Sequence, residues 1–214
     1  MRMLKTMPLL VVMVALMTGW QSAYHSAMEK AGMHKRDILI DRVEEATESQ
    51  EEVKEEFKSA LEQFSTLISF DGGELQAQFE KSEDHYIASE KAANDVSKRI
   101  EAIEGVAEAL FDEWQTEIEQ YTSASLKRQS QQKLRKTQKR YQTVIRAMHS
   151  AERKMAPVLS ALRDNMLYLK HNLNAKAVGA LKGEYKLIKQ DIDALVVDMN
   201  ASIADSQAFI ESLK

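Results

Sequence analysis

Five histidines (His25, His34, His85, His149 and His171) and 33 acidic residues are the raw material for metal or acid–base chemistry in this 214-residue chain. A di-iron helical bundle uses Glu-x-x-His pairs that face inward. No histidine here has Glu or Asp three residues before it, and no His-Glu-x-x-His occurs. His85 follows Glu83 and Asp84, and a solvated charged helix face accounts for it better than a metal. Gly72-Gly73 is not followed by Lys-Ser or Lys-Thr, so no phosphate loop is read. No serine sits in a Gly-x-Ser-x-Gly turn. With Cys 0 there is no disulfide, thiolate ligand or cysteine nucleophile. These residues predict no cofactor, no metal and no enzymatic activity.

Charge is patterned more informatively than the catalytic residue types. Asp41 to Glu62 holds nine acidic residues against Arg42, Lys54 and Lys58. Lys127 to Lys154 holds Lys127, Arg128, Lys133, Arg135, Lys136, Lys139, Arg140, Arg146, Arg153 and Lys154 against the single acid Glu152. One reading is internal: the basic helix lies beside acidic helix surfaces and helps set register. The other is a candidate binding face for anionic lipid or polymer, or an acidic partner, through Lys127, Arg128, Lys133, Arg135, Lys136, Lys139 and Arg140. Nucleic acid is not expected, because the net charge is −4 and phosphate binding needs basic excess. The cations are also not interleaved with aromatics.

The elements that carry these residues are helices. Gly 7 and Pro 2 are low counts for the length, and Ala, Glu, Lys, Gln and Leu favour helix. Apolar residues recur at three, four and seven throughout. From about Asp37 the stripe runs Ile40, Val43, Val53, Phe57, Leu61, Phe64, Ile68. From 75 to 121 it runs from Leu75 and Phe79 through Val96, Ile103 and Trp114 to Tyr121. From 126 to 170 it includes Leu134, Tyr141, Met148, Met155 and Leu169, and the last helix shows Val178, Ile188, Leu195, Ile203 and Leu213. Breaks are expected at 69–74, where Asp71 and Glu74 resemble a capping box, at 121–125, and at 171–174 with Asn174 as N-cap. A weaker break is read at Gly32. Pro157 should kink its helix or divide it, giving five. The fold class is therefore all-α: an elongated antiparallel bundle of about four long helices, coiled-coil-like. Trp114 is read as core or bundle end. Asn165 is a candidate register residue, and Gly179 with Gly183 a candidate close-packing face. No clean second seam for a dimer is read.

The N-terminus has a separate logic. Arg2 and Lys5 precede the apolar run Met7–Met17, then Thr18, Gly19 and Trp20. This is the order of a secretory signal peptide, and the run is short for a span of about 20 residues. No cut site has small residues at both required positions. A cysteine at position 20 would complete a lipoprotein signal; Trp20 cannot be lipidated and would sit at a membrane interface if the segment stays uncleaved. Gly19 and Trp20 are thus the processing or interface positions. Residues 1–19 are read as signal peptide or N-terminal anchor, 20–36 as a membrane-proximal linker and 37–214 as the bundle.

Four stretches, "GWQSAYHSAMEKAGMHKRDILIDRVEEA", "FDGGEL", "RIEAIEGVAEALFDEW" and "PVLSALRDNMLYLKHNLNAKAVGALKGE", resemble a family of Gram-negative envelope proteins catalogued as domain of unknown function 2959. The resemblance covers about residues 16 to 214. It implies export and, in members with a cysteine before "QSAY", a lipid anchor; this chain departs there. The expected role is a non-enzymatic envelope scaffold or protein-interaction rod on the periplasmic side, membrane-associated through its N-terminus. Its expected partner is an envelope protein or a second copy of itself.

Overall fold

The computed structural model describes residues 9–70, 72 and 74–214, with side chains described from His34 onward apart from those of Asp71 and Gly73. Five helices follow in order: α1 (Leu9–Ile68), α2 (Leu75–Glu119), α3 (Ala124–His171), α4 (Ala175–Ala180) and α5 (Lys182–Leu213). Among the described residues there is no strand, and the fold is an all-α bundle. At about 1.5 Å per residue the 45 residues of α2 extend roughly 65–70 Å.

Short connections make the neighbours antiparallel, and cross-helix bonds fix the order. Lys35–Glu113 and Glu45–Arg99 join α1 to α2. Trp114–Ser130 and Glu104–His149 join α2 to α3. Lys154–Asp198 joins α3 to α5, and Lys54–Asn200 joins α5 back to α1. The four long helices thus close a ring in which α1 and α3 each pack on α2 and α5. They occupy opposite corners and run in the same direction.

The apolar stripes meet at the axis of this ring. Phe57, Phe64, Leu67, Ile100, Ile103, Met148, Leu162 and Ile188 are fully buried. Each such side chain contributes about 1.5–3 kcal/mol relative to exposure. Tyr141 packs edge-on to Phe111 with centroids 5.4 Å apart, and tilts against Phe209 at 6.3 Å. Burial, then the charges of Glu104 and Glu108, push the Tyr141 phenol up to about 12.

Several local expectations are corrected. α1 runs through Gly32 without a break. α3 is not divided at Pro157, which lies inside it; the fifth helix arises instead from a single-residue interruption at Leu181, which caps both α4 and α5. α2 begins at Leu75 with Glu74 as its N-cap, and no side chain caps it. Glu74 therefore stands one helical turn too early to complete a capping box, and Asp71 lies outside the described residues. Gly72 has φ +154°, which a side chain would strain. The other two connections form as read: the Ser123 hydroxyl accepts from Leu126 N at 3.4 Å, and the Asn174 side chain accepts from Ala177 N at 3.0 Å.

Other positions behave differently from their spacing. Tyr121, placed at the end of the α2 stripe, is 43% exposed because α2 has already ended at Glu119. Gly179 and Gly183 are exposed, and a Cβ at either would meet nothing within 4 Å, so they form no close-packing face. Buried Asn165 donates to Ala161 O at 2.7 Å, one turn back in its own helix, and this bond fixes no register between helices.

Candidate interaction surface

The seven basic candidates lie in the first third of α3, held there by the inward stripe Leu134, Thr137 and Tyr141. Arg128, Lys133, Arg135, Lys136, Lys139 and Arg140 are exposed and Lys127 is half-buried. Among the described residues none of the seven has a carboxylate within ion-pair distance. The acidic stretch of α1 cannot reach them, because α1 and α3 are at opposite corners of the ring. For these seven residues, then, the acidic stretch of α1 is not the neighbour that could set register; the helices beside α3 are α2 and α5. Arg146 turns its Nε to Gln142 O at 2.8 Å, and of the Lys and Arg residues from 127 to 154 only Lys154 pairs across helices among the described residues, with Asp198 at 2.9 Å.

On the outward side of α3, Arg128, Arg135, Lys139, Arg146 and Arg153 are all exposed at intervals of 7, 4, 7 and 7. This places them along one stripe of the helix that is about 37 Å long. The opposite corner carries the opposite sign. Asp37, Asp41, Glu44, Glu48, Glu52, Glu55 and Glu62 are exposed on α1 at intervals of three, four and seven. Glu55 is drawn to Lys58 at 2.7 Å and Glu44 to Lys214 at 3.5 Å; the Lys58 hydrogen bond lowers the Glu55 pKa. Asp41, Glu48, Glu52 and Glu62 have no cationic partner among the described residues.

A cleft of about 570 Å³ opens where the end of α2 meets the start of α3 and the end of α5. Trp114 lines it, half-buried, with Nε1 donating to Ser130 Oγ at 2.9 Å. This agrees with a bundle-end role for that tryptophan. Arg36, Lys133 and Lys214 stand around the cleft, and Leu126, 52% exposed, forms part of its apolar wall. α1 continues from this end toward Leu9. Gly19 and Trp20 fall within the α1 backbone, but their side chains lie outside the described residues, as does the basic start at Arg2 and Lys5. Among the described residues no helix is long and apolar enough to cross a membrane.

Two features escaped the sequence reading. His149 sits between two carboxylates, Nδ1 at 2.8 Å from Glu152 and Nε2 at 3.1 Å from Glu104. Burial lowers its pKa, but the hydrogen bonds and charges of Glu104 and Glu152 together raise it above the usual value. The signal was His149-x-x-Glu152, an i, i+3 pair, which a search for Glu before His passes over. His85 approaches Glu56 at 3.9 Å. Among the described residues no His, Asp and Glu group is arranged to hold a metal. The second feature is an exposed small apolar face on α5, with Ala194, Val197, Ala201 and Ala204 at alternating intervals of three and four; Val197 is 67% exposed. This small-residue face on α5 lay outside the apolar stripe expected for that helix.

Residues 24–213 match the family described as "Protein of unknown function (DUF2959)". No curated protein and no solved structure matches the chain.

Proposed function

Because the chain belongs to this family of unknown function, which assigns it no activity, we propose a role from its surface: a non-enzymatic helical scaffold of the cell envelope. One observation carries the reading. A closed ring of long helices carries an acidic stripe on the outer edge of α1 and a basic stripe on the outer edge of α3, at opposite corners. Such a rod presents long, rigid, chemically distinct surfaces, which suits holding partners at a spacing. The envelope assignment draws on the sequence: Arg2 and Lys5, the apolar run Met7–Met17, and the small residues that follow. The protein then works on the periplasmic side, associated with the membrane through its N-terminus. Fractionating the native host and sequencing the mature N-terminus by mass spectrometry tests this. Recovery in the membrane or periplasmic fraction is expected; recovery in the cytosol would overturn it.

A second reading, a binding module for anionic lipid, is favoured by position. Lys127, Arg128 and Lys133 lie at the end of the bundle from which α1 runs on toward its apolar start, and Arg36, Lys133 and Lys214 surround the cleft there. Basic residues near a membrane segment attract anionic head groups. Salt-sensitive binding to phosphatidylglycerol vesicles, lost on Arg135→Glu with Lys136→Glu, is its signature.

A further inference from the structure

We propose that the basic edge of α3 docks on the acidic edge of α1 from a second copy of this chain, so that copies associate side by side. This rests on the scaffold reading and names its partner. The two edges are at opposite corners of one molecule and so cannot neutralise each other. They run in the same direction, so a copy displaced sideways, without rotation, presents its α1 parallel to the first copy's α3.

The heights also agree. Lys54 bonds Asn200 and Lys154 bonds Asp198, two residues away on α5. Glu45 and His149 reach positions 99 and 104 of α2. Residues of α1 are therefore level with residues of α3 numbered roughly 100 higher, within about two helical turns. At that height Asp41 faces Lys139, Glu48 faces Arg146 and Glu55 faces Arg153, each pair seven residues beyond the last. The match needs an axial shift of at most about two to three helical turns.

A contact about 37 Å long and roughly 10 Å wide covers on the order of 400 Å² per partner, which is below the standard interface. The association is accordingly weak, salt-sensitive and strengthened where copies are confined to one surface. Because each copy offers two different edges, the contact is heterologous and extends into rows rather than closing as a two-fold dimer.

The test uses the full chain in nonionic detergent at low ionic strength, followed by sedimentation. One variant carries Lys139→Glu, Arg146→Glu and Arg153→Glu, and another carries Asp41→Lys, Glu48→Lys and Glu55→Lys. All six positions are exposed, and circular dichroism checks that the helical content is kept. The parent should associate, and high salt should weaken it by about tenfold or more. Each variant alone should remain monomeric. Mixed together, they should associate again, because one then has two acidic edges and the other two basic ones. Association of either variant alone to the parent's extent would overturn the proposal. So would association that survives both triple changes and disappears with Val197→Glu, which would assign the contact to α5. A parent that stays monomeric while binding phosphatidylglycerol vesicles through Arg146 and Lys139 would overturn it in favour of lipid. None of these outcomes depends on where the protein resides in the cell.

Discussion

Gln50 is fully buried in α1, where its Oε1 accepts from Ser202 of α5 at 3.1 Å and its Nε2 has no acceptor among the described residues. Amide ends are assigned from the hydrogen-bond network, and either assignment leaves one end unpaired. An unsatisfied buried donor costs about 1–3 kcal/mol, whereas the net gain from the one bond made is about 1 kcal/mol. Replacing both partners by apolar groups, Gln50→Leu with Ser202→Ala, removes the penalty and the bond together. The double variant should match or exceed the parent's stability, by about 0–2 kcal/mol. Ser202→Ala alone strands both ends of the amide and should lose about 1–3 kcal/mol. At this chain length 1 kcal/mol corresponds to about 2–4 °C in Tm. Thermal and urea unfolding of the two single variants and the double variant gives the coupling as a double-mutant cycle. A double variant less stable than the parent by more than about 1 kcal/mol would mean that the amide is fully satisfied in the folded chain.

Three further outcomes follow from the same structure. His149, with its pKa raised between Glu104 and Glu152, binds its proton more tightly folded than unfolded. Its contribution is fully present below the unfolded value near 6.5 and is lost as pH rises through the folded value; His149→Gln should therefore cost more stability at acidic than at alkaline pH, measured by urea unfolding. Pro157 lies exposed inside α3, and Pro157→Ala should raise stability by about 1–3 kcal/mol by restoring a backbone donor, read as an increased Tm. Phe57→Ala empties a fully buried site and should cost about 3–5 kcal/mol in chemical denaturation.

Helical periodicity told the sequence reading which residues face inward, and that part of the fold was legible: Val96, Ile103, Met148, Ile188 and Leu195 all lie in the core. It told less where the core is polar. The gap between Val43 and Val53 in the first stripe is filled by Ala46, Ser49 and Gln50, all buried, and Gln50 accepts from Ser202 of α5. A stripe read from large apolar side chains passes over such a layer. Heptad spacing also cannot say which helices become neighbours. The basic run of α3 and the acidic run of α1 were both visible as composition, but their placement at opposite corners emerges only from the ring. That placement turns a register device into two open edges. The exposed alanine and valine face of α5 was hidden for a related reason: small residues at three and four spacing look like ordinary helix filler until burial shows which side the core takes.

If opposite edges of this rod meet between copies, residues at positions 48 and 146 come together across the contact. The chain contains no cysteine, so Glu48→Cys and Arg146→Cys can be placed singly and together in the full-length protein without background. Treating membranes from the native host with a short bis-maleimide tests the contact directly. Edge-to-edge contact should give a ladder of covalent multimers from the double variant and none from either single variant. A double variant that stays monomeric, or a Glu48→Cys variant that links to itself as a dimer, would contradict it.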